Sequence, residues 1–221
     1  DDFWLITQVN GSPDYRVTLF TPTGPTTTTT FAGVGLIQVA ANFSYHPGSN
    51  RIAVSPQETT RDVEVLSFDP ATGVLGFQQR VLSSGIITAT NQAIYDTEWS
   101  DNGQFLYLSI HGEAGIQADV LQYDLTNPLN SLASVLPQPN TIFRSFGLQM
   151  APDSSIYHLY QGTAGGPFLV GRLTDTDSVA SLVSYTPQAF PGNQNFAGTQ
   201  FPSFAPSDTL NIAVSFIPDG F

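Results

Sequence analysis

The stretch Glu98-Trp-Ser-Asp-Asn-Gly-Gln-Phe-Leu-Tyr-Leu108 reads as a strand ending on an aromatic residue, a tight turn, and a second strand rich in apolar residues. Asn102 and Gly103 tolerate the left-handed backbone that a tight hairpin needs, so the two strands run antiparallel. The pattern recurs at Phe43-Ser-Tyr-His-Pro-Gly-Ser-Asn-Arg-Ile-Ala-Val54, Gln149-Met-Ala-Pro-Asp-Ser-Ser-Ile-Tyr-His-Leu159 and Ser203-Phe-Ala-Pro-Ser-Asp-Thr-Leu-Asn-Ile-Ala-Val214. Its turns begin near His46, Ser100, Ala151 and Ala205, at spacings of 54, 51 and 54 residues. A period of about fifty residues is the mark of a repeat architecture.

Working outward, a third strand follows each pair: Tyr15–Thr21, Val63–Asp69, Val120–Asp124 and Phe168–Thr174. Polar turns then lead to a less regular fourth strand, such as Gly76 to Leu82 or Ala180 to Tyr185. Four antiparallel strands per repeat predict the blades of a β-propeller, an all-β fold. A β-sandwich would not require even spacing, and recurrent Pro and Gly exclude helical repeats. Residues 1–221 are expected to form one propeller domain or a fragment of one. The phase gives three complete four-stranded blades and two partial ones. Both ends supply a second strand, so neither is expected to complete the other, and the intact propeller is expected to be larger.

Charge and composition narrow the function. Eighteen acidic residues stand against six basic ones, all arginine, for a net charge of −12. Such a chain repels a phosphate backbone, which excludes nucleic acid as a partner and disfavours an anionic membrane. No apolar run approaches the roughly 18 residues of a membrane helix. There is no cysteine, hence no disulfide or thiolate chemistry. Without lysine there is no phosphate-binding Gly-Lys loop, and no serine sits in a Gly-x-Ser-x-Gly elbow.

The segments Asp2-Phe-Trp-Leu-Ile-Thr7, Ser44-Tyr-His-Pro-Gly48, Val63-Glu-Val-Leu-Ser-Phe-Asp-Pro-Ala-Thr-Gly-Val74, Glu98-Trp-Ser-Asp-Asn-Gly103, Leu121-Gln-Tyr-Asp-Leu125 and Gly147-Leu-Gln-Met-Ala-Pro-Asp153 occur in an order that resembles the propeller region of large surface proteins exported by the type IX secretion system of gliding bacteria. The resemblance implies an extracellular or outer-membrane-associated module. Its expected partners are a protein or surface glycan, the secretion machinery, or a filament in assembly. On that reading the chain is a non-enzymatic binding, adhesion or assembly module.

The alternative is a lactonase-like propeller hydrolase using clustered carboxylates. Convergence of Glu58, Asp96, Glu98, Glu113 and Asp119 on a cavity would favour it. No cofactor is firmly expected. Calcium is the possible one, with Glu58, Glu113 and Asp119, or the Asp175 and Asp177 pair, as candidate ligands. His46, His111 and His158 each have a plain structural reading, and a register offset of four argues against a site shared by the last two. Phe43, Trp99, Phe146 and Phe204 are expected to pack between blades. Thr26 to Thr30 suit an extended strand, with O-glycosylation as the functional alternative.

Overall fold

The computed structural model describes residues 2–9, 11–33, 41–57, 62–81, 92–112, 118–127, 132–190, 198–201 and 211–214, the last four by their backbone alone. The strands are β1 (Phe3–Gln8), β2 (Tyr15–Thr21), β3 (Gly24–Phe31), β4 (Ala41–His46), β5 (Arg51–Pro56), β6 (Val63–Asp69), β7 (Val74–Val81) and β8 (Ala93–Trp99). They continue with β9 (Phe105–His111), β10 (Asp119–Asp124), β11 (Ala133–Ser134), β12 (Arg144–Met150), β13 (Ile156–Gln161), β14 (Phe168–Thr174), β15 (Ser184–Thr186) and β16 (Asn211–Val214). They form four four-stranded sheets, ordered β16-β1-β2-β3, β4 to β7, β8 to β11 and β12 to β15. Consecutive strands pair antiparallel throughout, as expected for propeller blades.

The turns explain why the repeat was visible. Asn50, Gly103 and Ser154 occupy corresponding places between the first two strands of successive sheets, and all three have positive φ, at 51°, 69° and 58°. That left-handed torsion suits the tight reversal of a hairpin and favours Gly and Asn.

The chain ends depart from expectation. The two terminal second strands meet: β16 lies beside β1 in parallel, with Phe3 opposite Asn211 and Ile6 opposite Val214. Two copies of one repeat position run in the same direction, which makes their pairing parallel and fills the fourth place of the first sheet. The predicted fourth strand from Ala180 to Tyr185 is also shorter. Ala180–Leu182 forms one 3-10 turn, because Leu182 N–H donates to the Val179 carbonyl and Val183 N–H to that of Ala180, and pairing starts only at Ser184. The threonine run lies on β3, the outer strand of its sheet, fully exposed from Thr26 to Thr30.

Apolar side chains on facing sheets make the core. Ile6, Tyr15 and Val17 of the first sheet meet Ile52, Leu66 and Phe68 of the second. Trp99, Leu106 and Leu108 of the third meet Val63 and Val65 of the second. Phe105, Tyr107 and Val120 meet Leu148, Ile156 and Leu173 across the third and fourth. Polar clips sit at the same junctions. Both tryptophans donate their indole N–H to a carbonyl of the neighbouring sheet, Trp4 to Pro70 at 2.9 Å and Trp99 to Ser44 at 3.0 Å. Phe43 and Trp99 therefore pack between blades as expected, while Phe204 lies outside the described residues.

Gly73 shows how tightly the first two sheets are docked. It has φ +73° in the turn after β6, and a Cβ there would run into the Trp4 indole. Gly73→Ala is expected to lower stability by about 2–3 kcal/mol, strain and displaced packing together, read as a fall in the denaturation midpoint.

Candidate functional site

Strand β8 packs against both β4 and β12, and each of the three is the first strand of its sheet, on the inner side of the arc. Their starting ends carry two irregularities. Register shifts between Ile94 and Asp96 in β8, and between Ser145 and Leu148 in β12. Bulges of this kind re-aim side chains and cluster at rims and sites. Here the bulged residues are Tyr95 and the pair Phe146–Gly147.

Around them gathers an aromatic cluster. The Tyr95 and Phe146 rings meet edge-on at 5.4 Å, His111 lies 5.8 Å from Tyr95 and 5.2 Å from Phe146, and Phe168 lies 5.3 Å beyond. Phe146 thus belongs to this end of β12, five residues from the turn with which the repeat had grouped it. His111 ends β9, half-buried, and its Nδ1 is 3.2 Å from the Ser145 carbonyl. A carbonyl only accepts, so Nδ1 carries the hydrogen and Nε2 is the basic nitrogen of the neutral ring.

Residues 198–201 cross this end as a strap. Gly147 N–H donates to the Thr199 carbonyl at 3.0 Å, and Gln200 Nε2 donates to Asn42 Oδ1. Asn42 Nδ2 in turn donates to the Tyr95 carbonyl at 2.9 Å. A Cβ on Gly147 would lie 3.1 Å from both Gln200 Cα and the Thr199 oxygen, so a small residue lets the strap approach.

The carboxylates behave differently from the arrangement a hydrolase with clustered acids would need. Asp96 and Glu98, two residues apart on β8, both turn toward the fourth sheet. Asp96 Oδ2 accepts Leu148 N–H and Oδ1 accepts Thr97 N–H, each at 2.8 Å. Glu98 Oε2 accepts Met150 N–H and Oε1 accepts Trp99 N–H, also at 2.8 Å. Burial pushes both carboxyls up to about 7, against the opposing effect of those N–H donors. They are clips between blades and do not converge with Asp119. That residue opens β10, where Oδ1 accepts Val120 N–H and Ser134 Oγ–H at 2.7 Å, and burial raises its pKa.

Asp175 and Asp177 lie at the opposite end of the sheets, past the end of β14, where Asn102 N–H donates to Asp177 Oδ1 at 2.9 Å. Asp119 and the Asp175–Asp177 pair are therefore not brought together, and Glu58 and Glu113 lie outside the described residues. Among the described residues, no three His, Asp or Glu side chains are grouped to hold a metal ion.

The histidines divide by role. His46 Nδ1 accepts Ser49 N–H at 3.0 Å, so Nε2–H donates to the Asp101 carbonyl at 2.8 Å and links two turns, as its structural reading anticipated. His111 and His158, expected to stay apart, meet on one residue. His158 Nε2 is 2.7 Å from Ser145 Oγ, while His111 contacts the Ser145 carbonyl. Sequence spacing from the turns missed this because the contact runs through β12, whose bulge shifts its register. Tyr95, Asn42 and Gln200 were missed as well. No local pattern marks a bulge or a strap, although the alternation of Asp96 and Glu98 within a buried strand was a visible signal of inter-blade polarity.

No family model matches the chain, and no curated protein matches it. Solved structures do resemble it, among them the following three. The periplasmic gluconolactonase PpgL of Pseudomonas aeruginosa superposes with a TM-score of 0.51 at 15% identity over 78% of this chain and 50% of its own. A putative 6-phosphogluconolactonase from Bacteroides uniformis gives 0.53 at 18% identity, over 79% and 48%. A protein from Lactobacillus plantarum gives 0.52 at 14% identity, over 76% and 48%. At these identities the likeness shows the fold, and the chain spans about half the length of the structures it matches.

Proposed function

We propose that the chain is part of a propeller hydrolase acting on cyclic esters, with its site where β8, β9 and β12 meet. The observation that carries this reading is half-buried His111, held at Nδ1–H by the Ser145 carbonyl beside the aromatic cluster of Tyr95, Phe146 and Phe168. Two of the structural neighbours are named as lactonases, which supports a lactone as the substrate class. The name of one, a periplasmic enzyme, supports a site of action outside the cytoplasm.

In this mechanism Nε2 of His111 removes a proton from a water molecule as its oxygen adds to the lactone carbonyl carbon. Collapse of the tetrahedral intermediate breaks the ring C–O bond, and the departing alkoxide oxygen takes the proton back from Nε2. The product is the open hydroxy acid. The half-buried Tyr95 ring offers an apolar face beside His111 and is backed by buried Phe146.

Glucono-δ-lactone and related aldonolactones, assayed by acid release above the spontaneous rate, test this. His111→Asn keeps a donor toward the Ser145 carbonyl but has no basic nitrogen, and is expected to lower kcat by about 100-fold or more. Absence of turnover by the wild-type protein, or full activity in the variant, overturns the reading.

One observation favours the non-enzymatic alternative, an extracellular binding or assembly module. The strap already engages Asn42 and Gly147 at this end of the sheets. A protein that turns over no lactone yet binds a surface glycan or protein in a pull-down would support that role.

A further inference from the structure

We infer that Ser145 and His158 are positioning residues that hold His111 in its Nδ1–H tautomer. The inference rests on the proposed role of His111 and extends it one residue inward. A second polar chain, apart from the Asp96 and Glu98 clips, crosses the boundary of the third and fourth sheets. Ser109 Oγ is 2.7 Å from Ser145 Oγ, Ser145 Oγ is 2.7 Å from His158 Nε2, and His158 Nδ1 is 3.1 Å from the Tyr185 hydroxyl. Ser109, Ser145 and His158 have no exposed surface. Polar groups so buried are costly unless each is bonded, and a complete chain of bonds fixes its members in place.

Ser145 is where this chain meets the candidate site. Its side chain belongs to the buried network, its carbonyl binds His111 Nδ1–H, and it is the last regular residue before the bulge that presents Phe146. Anchoring its side chain from both sides restrains the Cα that carries both groups, and through the carbonyl the His111 ring. Burial pushes His158 down to about 3, so it stays neutral and keeps one donor and one acceptor nitrogen for this task. The other end is anchored by Tyr185, whose hydroxyl burial keeps protonated. Gly171 is what lets that ring in, since a Cβ at this position would collide with the Tyr185 hydroxyl.

The test is the tautomer itself. In protein labelled with ¹⁵N-histidine, two-bond proton–nitrogen correlations report which ring nitrogen of His111 carries hydrogen, with no substrate present. The wild-type protein is expected to show Nδ1–H. His158→Ala is expected to give a mixture of tautomers and, in the lactone assay, a fall in kcat of about tenfold with KM within twofold. His158→Gln, which restores an amide N–H toward Ser145 Oγ, should recover most of both. An unchanged His111 tautomer in folded His158→Ala overturns the inference, as does a His158→Gln variant as defective as the alanine. If His158→Ala does not fold, Tyr185→Phe removes only the hydroxyl at His158 Nδ1. A smaller shift in the same direction supports the inference, and none overturns it. A His158-dependent tautomer in a protein that hydrolyses no lactone supports the positioning role and overturns the hydrolase reading alone.

Discussion

Trp99→Ala is expected to lower the unfolding free energy by about 3–5 kcal/mol and the melting temperature by on the order of 10 °C. Trp99 is 1% exposed, the largest of the fully buried side chains. It closes β8 at the turn that defines the repeat, and its ring packs between the second and third sheets among Ala53, Val63, Val65 and Leu106. Truncation leaves a cavity at a junction of two rigid sheets, neither of which can collapse into it without breaking its own ladder. It also leaves the Ser44 carbonyl without its indole donor. Trp99→Phe separates the two losses: most of the volume is kept, and about 1–2 kcal/mol is expected from the missing hydrogen bond and the smaller ring. Equilibrium urea denaturation of both variants checks the pair. A phenylalanine variant as unstable as the alanine one would mean that the indole bond, not the packing, holds the blades together.

Trp99 also shows what could be read in advance. Its strand, turn and partner strand follow from local rules, since alternation sets the faces and Asn102 with Gly103 sets the reversal. The ranges Val63–Asp69 and Phe168–Thr174 were legible to the residue for the same reason. What local rules do not contain is the placement of one sheet against the next. The meeting of His111 with Ser145 spans 34 residues and that of Tyr15 with Glu64 spans 49. Such contacts depend on twist and bulges that no single segment encodes. The parallel seat of β16 beside β1 is of the same kind. The repeat showed two equivalent strands at the chain ends, yet their adjacency is a property of the folded chain and of neither segment alone. The candidate site is built almost wholly from such contacts, so its residues emerged only once the sheets were in place.

Asp96→Ala with Glu98→Ala is expected to cost on the order of 4–6 kcal/mol, because the N–H groups of Leu148 and Met150 lose their acceptors inside a buried interface. The two acids share one strand and one partner strand, so the double variant should cost less than the sum of the singles. They also set the pH dependence of stability. In the unfolded chain both titrate near 4, whereas in the folded protein burial lifts both to about 7. Between those values the native state binds more protons than the unfolded one, so its stability must fall as pH rises. The contribution of the pair is fully present below about pH 4 and is lost by the time pH has passed through 7. Melting temperatures are therefore expected to fall from pH 5 to pH 8. Growing repulsion within a chain of net charge −12 acts in the same direction. Asp96→Asn with Glu98→Gln separates the two causes, since it removes both titrations and leaves the other sixteen acidic residues unchanged. The double amide should be less stable than wild type at pH 5 yet show a flatter profile. A slope identical to that of the wild type would assign the whole pH dependence to surface charge and leave Asp96 and Glu98 ionised throughout, held by their four backbone N–H donors.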